Sequence, residues 1–341
     1  MPVLRDGKLF AMNCIRLLIP DLFPPREIAA EVCAGLRPPA LEKLLGRGKA
    51  TSSRVICLED WLCAVFGGQS VAPVRAASEG LEVGEKYWLC ADPVGLQLQH
   101  SQVMVLPDLA TSQDESTTLC VMLNEHFAGM GMTFFAPHPR RWYVRLEAEP
   151  QLTTSPLQQV AWSDAKLHQP QGADALHWQR IFTEMQMLLY AHPLNQAREA
   201  RGEQLINSLW LWGGGRAAPV VEAFDSVGGD SELAGAFAQV AGIPQVESLQ
   251  EMLDGEFQSG LWVCDAPREA LQRGDLYAWR ESVENIETEY AQPLLKALQA
   301  GRLRAIQLEV LRENGSQCFE FTRGDAWKFW RTVRPLARYA V

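Results

Sequence analysis

Two aspartates occupy positions where α/β proteins commonly hold catalytic carboxylates. Asp21 follows the apolar run Ile15 to Ile19, and Asp265 follows the run Leu261 to Cys264. Ligands of open α/β sheets bind beyond the carboxyl ends of the strands, so these carboxylates could hold a metal ion or a polar substrate. An aspartate directly after a strand also commonly caps the next helix, and the sequence leaves both roles open.

A second candidate site is the glycine run Gly213, Gly214 and Gly215, which separates the apolar run Leu209 to Trp212 from Arg216. This pattern predicts a buried strand of a parallel sheet that ends in a glycine corner. Glycines let the backbone turn sharply and present N–H groups to a ligand. The alternative is a tight turn without a ligand, since neither the GxGxxG nor the P-loop pattern is present.

A third candidate is a pair of arginines beside an asparagine. Arg198 and Arg201 are three residues apart, so they share one helix face and, with Asn195, could bind an anion. The alternative is a solvated helix whose arginines pair with Glu199 and Glu203.

Several classes of chemistry lack their sequence signatures. None of the six histidines lies in an HxH or HExxH spacing, and the nucleophile motif GxSxG is missing. The sequence therefore predicts no metal site and no cofactor, and it assigns no catalytic residue. The eight cysteines form no CxxC pair, which favours free thiols in a reducing, cytoplasmic compartment.

Composition indicates an ordinary globular chain that is long enough for two domains. Its 341 residues are 47% hydrophobic and 21% charged. A net charge of −10 disfavours binding to nucleic acid or to an anionic membrane surface. No run of 18 apolar residues occurs, which argues against a membrane span.

The elements that must position these residues alternate between short strands and helices. Besides the three apolar runs above, Val55 to Leu58 is a weaker strand candidate. Helices are predicted at Ala40 to Leu45 and Trp279 to Leu298, and another could open within Pro219 to Phe224. This alternation favours a parallel or mixed sheet with helices on both faces.

The end and the middle of the chain have different patterns. The alternating segment Arg304 to Val310, the turn Asn314-Gly315 and the segment Cys318 to Phe321 predict a β-hairpin at the edge of the sheet. The middle mixes short strands with a helix near Ser116 to Phe127, and a long helix with an apolar stripe from Trp178 to Leu189 follows it. A polar, proline-containing stretch at 150–171 is typical of a linker. We therefore predict a core formed by residues 1–83 and 171–341, split by an α+β domain at 84–170.

Several segments of the chain together resemble a known family. Asn207 to Gly215 resembles the strand-and-glycine motif of archaeal-type cofactor-independent phosphoglycerate mutases, members of the alkaline phosphatase superfamily, and is closer still to bacterial regulatory proteins of the RpfE type. Leu17 to Asp21 is similar to the first strand of that family, and Arg37 to Leu44 to the helix that follows it. Gly274-Asp275 and Val283 to Glu287 resemble a later helix. The resemblance implies an alkaline-phosphatase-like mixed sheet flanked by helices.

The resemblance also implies two-metal phosphoryl transfer through a Ser or Thr phosphoenzyme, which needs many Asp and His ligands. This chain departs from that pattern. Arg268 and Gln272 stand where the family has an aspartate and a histidine, and arginine cannot ligate a cation. We therefore expect a dismantled metal site.

Our first hypothesis is a catalytically degenerate, mutase-like cytoplasmic protein with a regulatory role or a role in binding a phosphorylated or carboxylate metabolite. The candidate binding residues are Asp21, Asn195, Arg198, Arg201, Gly213, Gly214, Gly215, Arg216, Asp265, Arg268 and Asp275. A second hypothesis is an active metal-dependent phosphotransferase or phosphohydrolase with rearranged ligands, namely Asp21, Asp92, Asp265 and Asp275. A third is a protein-interaction module in which Trp327 and Trp330 contact a partner.

Overall fold

A computed structural model of the chain describes residues 13–55, 57–312 and 315–340. The chain divides into two compact units. The first unit combines Met1–Phe66 with Val220–Val341, and the second is Gly67–Pro219. The second unit therefore extends beyond the α+β domain expected at 84–170 in both directions, and it includes the glycine-containing strand.

The strands, in chain order, are β1 (Cys14–Pro20), β2 (Lys49–Ser53), β3 (Tyr87–Gln99), β4 (Gln102–Leu106), β5 (Met132–His138), β6 (Arg141–Leu146), β7 (Ser208–Arg216), β8 (Ser226–Gly229), β9 (Gln245–Val246), β10 (Ser259–Val263), β11 (Ala305–Arg312) and β12 (Gly315–Thr322).

The helices, in chain order, are α1 (Arg26–Val32), α2 (Pro39–Arg47), α3 (Leu58–Val65), α4 (Val71–Ser78), α5 (Gln113–His126), α6 (Leu157–Val160), α7 (Ala175–Ala191), α8 (Pro193–Ala200), α9 (Glu232–Val240), α10 (Leu249–Asp254), α11 (Ala266–Gln272), α12 (Leu276–Asn285) and α13 (Gln292–Gln299). A π-helical turn, Ile286–Ala291, joins α12 to α13, so the long helix expected at Trp279 to Leu298 is present.

The first unit contains a seven-stranded mixed sheet in the order β2-β12-β11-β1-β10-β8-β9. Strands β11, β1, β10, β8 and β9 are parallel to one another, and β12 is antiparallel to both β11 and β2. The predicted C-terminal hairpin is confirmed, although its expected edge position is wrong because β2 pairs outside β12. Asn314 of the predicted turn lies outside the described residues.

The larger apolar core of the first unit covers one face of this sheet. Alternating residues of β1, including Ile15, Leu17 and Ile19, are fully buried together with apolar side chains of α2, α12 and α13. The period of two in the strands and the apolar stripes of the helices explain why these segments pack in layers. The mixed sheet flanked by helices agrees with the fold class expected from the sequence.

The second unit is built on an antiparallel sheet. β3 pairs with β4, β6 and β7, and β5 pairs with β6, all in antiparallel orientation. Helices α5 and α7 contribute Leu119, Leu123, Ile181 and Met185 to the core on this sheet. The prediction that Leu209 to Trp212 belongs to a parallel sheet is therefore wrong, because its hydrogen-bonding partner is the antiparallel strand β3.

Three further sequence expectations need correction. Leu58 opens helix α3 instead of ending a strand, since Leu58, Trp61 and Leu62 lie on one buried helical face and the Cys57 thiol accepts a hydrogen bond from the Asp60 N–H. Residues 219–224 form no helix. The stretch at 150–171 is folded within the second unit, where Thr153 and Gln171 form a β-bridge. In the described part of the chain, no helix has both the length and the apolar character needed to cross a membrane.

Candidate functional site

Three neighbouring parallel strands of the first unit each end at an aspartate. Asp21 follows β1, Asp265 lies two residues beyond the end of β10, and Asp230 follows β8. Leu18 pairs with Val263, and Val263 pairs with Gly229, so the three strand ends lie at one edge of the sheet. The structure thus places the predicted aspartates of β1 and β10 at a common edge, which is where ligands of such sheets bind.

Asp230 was not predicted, and it organises the start of α11. Its carboxylate accepts hydrogen bonds from the backbone N–H groups of Asp265 and Ala266, the second at 3.2 Å. The sequence does contain a signal for it. Asp230 stands between the glycines that end β8, Gly228 and Gly229, and Ser231, which caps the N-terminus of α9.

A buried ion bridge lies beside this edge. Arg268 donates from Nη1 to Glu59 Oε1 at 2.9 Å and from Nη2 to Asp265 Oδ2 at 2.6 Å. Glu59 in the first turn of α3, Asp265 and Arg268 are only 2%, 6% and 8% exposed. The guanidinium therefore lies between two carboxylates and supplies the cation that they need in a buried place.

The charge balance of this bridge is incomplete. Glu59 Oε2, Asp265 Oδ1 and Arg268 Nε are buried without a hydrogen-bond partner among the described residues. Burial raises the pKa of Asp265 to about 6, and the charges of Glu59 and Asp230 add to the increase although Arg268 opposes it. For Arg268, burial alone would lower the pKa, but the two carboxylates raise it, so the arginine stays charged.

The residues at this edge do not fit the two-metal site that the resemblance implies. A guanidinium has no lone pair to offer and occupies the space between the carboxylates. All six histidines lie between His100 and His192, within the second unit, so the first unit contains none. In residues 13–55, 57–312 and 315–340, no group of three or more His, Cys, Asp or Glu side chains is arranged to hold a metal ion.

Arg312 is a further residue of this edge that sequence reasoning missed. It ends β11, the strand next to β1, and the Asp21 N–H donates to the Leu311 carbonyl at 3.3 Å. The guanidinium of Arg312 lies 4.3 Å from the centre of the Phe23 ring, and its buried Nε has no hydrogen-bond partner among the residues that the structure describes. Burial lowers the pKa of Arg312, and no carboxylate of the described residues forms an ion pair with it. The alternation Ile306, Leu308, Val310 could have indicated that the strand continues to this position.

The glycines Gly213, Gly214 and Gly215 lie inside β7, not in a corner after it. Trp212 pairs with Cys90 while Gly215 pairs with Trp88, so β7 carries a β-bulge at this point. Gly213 has φ +64°, a backbone conformation that glycine adopts without strain and that is typical of a bulge.

Close packing explains the other two glycines. A Cβ on Gly214 would lie 2.5 Å from the Tyr87 hydroxyl, and one on Gly215 would lie 2.0 Å from Ser70 Oγ. Arg216, at the end of β7, donates to the Glu85 carbonyl at 2.6 Å and faces Glu149 at 3.3 Å. The glycine run thus has a packing role within the second unit.

The candidate residues of α8 also have internal partners. Asn195 donates to the Leu189 and Ile206 carbonyls and accepts from the Ile206 N–H. Arg198 is fully buried and donates to two carbonyls and to Glu115, and Arg201 pairs with Glu203. Their hydrogen bonds fix the α7–α8 corner of the second unit.

Asp92 and Asp275 have structural partners as well. Asp92, in the second unit, pairs with the buried Arg75 and accepts a hydrogen bond from Trp212 Nε1 at 2.8 Å. Asp275 caps α12 by accepting from the Ala278 N–H at 2.9 Å. Of the predicted site residues, the structure therefore brings together Asp21, Asp265 and Arg268 at one sheet edge.

Comparison with known proteins agrees with the observed architecture, although no protein-family profile matches the chain. The PH0037 protein of Pyrococcus horikoshii aligns over 96% of this chain and 92% of its own, with a TM-score of 0.59 and 14% identity. The chain therefore shares its fold, a mixed α/β sheet flanked by helices, with that protein.

Sequence comparison gives a more particular relationship. The 2,3-bisphosphoglycerate-independent phosphoglycerate mutase of Methanosarcina acetivorans is 21% identical over 82% of this chain and 79% of its own. That of Methanosarcina mazei is 22% identical over 82% of this chain and 70% of its own. The chain is thus a distant homologue of the archaeal-type cofactor-independent phosphoglycerate mutases.

Proposed function

We propose that this chain is a phosphoglycerate-mutase-like protein that has lost two-metal phosphoryl transfer and binds a phosphorylated carboxylate without turning it over. The observation that carries the proposal is the position of Arg268 between Glu59 and Asp265, beside the carboxyl ends of β1, β10 and β8. A regulatory role follows if the bound metabolite changes what the protein contacts.

A protein cation already supplies the positive charge that metal ions would bring to this edge. Two-metal phosphoryl transfer needs several anionic or imidazole ligands around each ion. In this unit the Arg268 guanidinium already compensates Glu59 and Asp265, Asp230 is engaged with backbone N–H groups, and there is no histidine. A cation held in this way compensates charge permanently, but it cannot activate a hydroxyl nucleophile.

The anion-binding part of the proposal depends on Arg312. A half-buried guanidinium that lacks a carboxylate partner favours an anion, and arginine suits both phosphate and carboxylate oxygens. The relatives are named phosphoglycerate mutases, so a phosphoglycerate is the first metabolite to test. We expect its phosphate or its carboxylate to bind Arg312.

The experiment measures metal binding, turnover and ligand binding on the same preparation. We expect no stoichiometric Mn²⁺ binding by calorimetry and no interconversion of 2- and 3-phosphoglycerate, with the Methanosarcina acetivorans mutase as the active control. Calorimetry with 3-phosphoglycerate should show binding that Arg312→Gln weakens and that the matched surface variant Arg37→Gln leaves unchanged. Stoichiometric Mn²⁺ together with turnover that Asp265→Ala abolishes would instead support an active metal-dependent enzyme with rearranged ligands.

A second candidate function, protein interaction, is favoured by an exposed aromatic surface of the first unit. This surface, which we call the aromatic surface, consists of Trp327, Phe329 and Trp330, whose exposures lie between 68% and 81%. The segment is anchored, because Arg331 Nη1 donates to the Arg47 carbonyl at 2.6 Å. Residues 323–338 include five basic residues and one acidic residue in a chain whose net charge is −10.

Exposed Trp and Arg side chains on an anchored segment are typical of binding hot spots, and the local positive charge favours an acidic partner. We expect acidic peptides that contain leucine or phenylalanine to change the fluorescence of Trp327 and Trp330. The double variant Trp327→Ser/Trp330→Ser should lose this binding, and salt should weaken it. Binding to anionic lipid vesicles in place of peptides would contradict the assignment to a protein partner.

A further inference from the structure

The second face of the first unit's sheet is polar where β1, β11, β12 and β2 lie side by side. One row across these strands contains Arg16, Gln307, Glu320 and Lys49, and the next contains Leu18, Glu309, Cys318 and Thr51. The opposite face of the same strands carries the apolar core. Sheets of this class usually bury apolar side chains on both faces, so the polar rows need an explanation.

A cavity of about 410 Å³ lies over these rows. Its floor includes Arg16, Glu309 and Cys318, and one wall is helix α3, through Trp61, Ala64 and Val65. This volume falls within the range of about 300–1,000 Å³ that small-molecule sites occupy. The cavity therefore combines charged groups on the sheet with an apolar wall on the helix.

No cationic side chain among the described residues forms an ion pair with the Glu309 carboxylate. Glu309 is only 5% exposed, and the Cys318 thiol on the neighbouring strand β12 is placed to donate to it. Burial and the charge of Glu309 raise the pKa of Cys318 to about 12, so this thiol stays protonated. A buried carboxylate with so weak a donor is costly to the folded protein unless a cation compensates it.

Arg16 is the complementary group, and it does not pair with Glu309. Its Nε and Nη2 both donate to the amide oxygen of Gln307, at 2.8 and 2.6 Å, and its guanidinium lies 5.6 Å from the centre of the Trp61 ring. Among the residues described, no carboxylate forms an ion pair with it. The rows of Arg16 and Glu309 are two residues apart along the strand, which is about 6.6 Å.

We propose that this cavity binds a free α-amino acid with an apolar side chain. The ammonium group binds Glu309, the carboxylate binds Arg16, and the side chain packs against Trp61, Ala64 and Val65. Lys49 and Glu320, which also line the cavity, carry opposite charges, so the four charged side chains together favour a zwitterion over a simple anion or cation. The residues differ from those of the aspartate edge, so this inference does not depend on the proposed function.

The test is calorimetry on the full chain with phenylalanine, its amide and its N-acetyl derivative. We expect phenylalanine to bind at millimolar concentration or better, the amide to bind more weakly because it lacks the carboxylate, and the N-acetyl compound more weakly because it lacks the ammonium. Leucine and methionine should bind, and aspartate should not.

The variants separate binding from folding. Glu309→Gln should weaken phenylalanine binding by at least about tenfold, without lowering the melting temperature of the ligand-free protein, because it removes a buried charge. Glu309→Gln should leave the weak binding of the N-acetyl compound unchanged, because that compound has no ammonium group that Glu309 could bind. The matched control is Glu284→Gln, which changes an exposed carboxylate that has no side-chain hydrogen bond within the described residues. Failure of all apolar amino acids to bind the wild type, or undiminished binding to Glu309→Gln, would overturn the proposal.

Discussion

Replacing Asp265 by asparagine should stabilise the protein at neutral pH, although it removes one side of an ion pair. With Asp265 ionised, the group Glu59–Arg268–Asp265 has two buried negative charges and one positive charge. With asparagine in place of Asp265, the same group has one negative and one positive charge. The pKa of Asp265 rises from the usual 3.8 to about 6, chiefly through burial, which is about two units. At 1.36 kcal/mol per unit, the ionised carboxylate costs the folded state about 3 kcal/mol.

The sign of the pH dependence follows from proton binding. Between pH about 4 and about 6, the folded protein keeps the Asp265 proton that the unfolded chain has lost. The contribution of this residue to stability therefore falls as pH rises through this window, and the full cost is present above pH about 6. Asparagine cannot titrate, so the difference between the variant and the wild type should grow from near zero in acid to its full size at neutral pH.

Urea unfolding at several pH values on both sides of this window measures that difference directly. Using the difference between two proteins cancels the titration of all the other carboxylates. Glu284→Gln serves as a control for the removal of an exposed charge. If Asp265→Asn proves less stable than the wild type by the same amount at every pH, the carboxylate is net stabilising and the reasoning about this ion bridge is wrong.

Three further predictions concern stability and are measured by the same unfolding assay. Arg268→Met leaves two buried carboxylates uncompensated and should lower the free energy of unfolding by about 3–5 kcal/mol. Adding Glu59→Gln in a double variant should restore part of this stability. An unchanged stability of Arg268→Met would contradict the bridging role of Arg268. Gly215→Ala places a methyl group against Ser70 Oγ and should lower the free energy of unfolding by about 1–3 kcal/mol. The loss should be smaller when Ser70 is replaced by glycine. An equal loss with and without Ser70→Gly would exclude this clash. Ser112→Ala removes the capping box of α5 and should cost about 1 kcal/mol, whereas the neighbouring exposed change Asp114→Asn should cost less.

Local patterns predicted those parts of the fold that local physics decides. Each of three elements, β1, β11 and α12, could be predicted from the pattern of apolar residues within its own segment. All three are present in the structure. An apolar run followed by glycine has the same appearance in parallel and antiparallel strands, so the sequence cannot show that Leu209 to Trp212 belongs to an antiparallel sheet. Its partner β3 lies more than a hundred residues away, and only tertiary contacts select it.

The candidate site was predicted in part for the same reason. Asp21 and Asp265 follow recognisable strands, so their common edge could be inferred. Glu59 could not be connected to them, because it contacts Arg268 across 209 positions of sequence. Arg312 could not be recognised either, since its unpaired guanidinium depends on burial and on Phe23, and a sequence records neither.

The confinement of all six histidines to the stretch between His100 and His192 makes them a spectroscopic label for the second unit alone. Imidazole ring protons resonate apart from most other signals, so every histidine line in a proton NMR spectrum reports on the second unit alone. Diethyl pyrocarbonate, which acylates imidazole, would likewise modify the second unit at histidine and leave the first unit without a histidine adduct. Heating or denaturant titration followed through these lines should therefore show whether Gly67–Pro219 melts together with the first unit or separately, without any engineered probe.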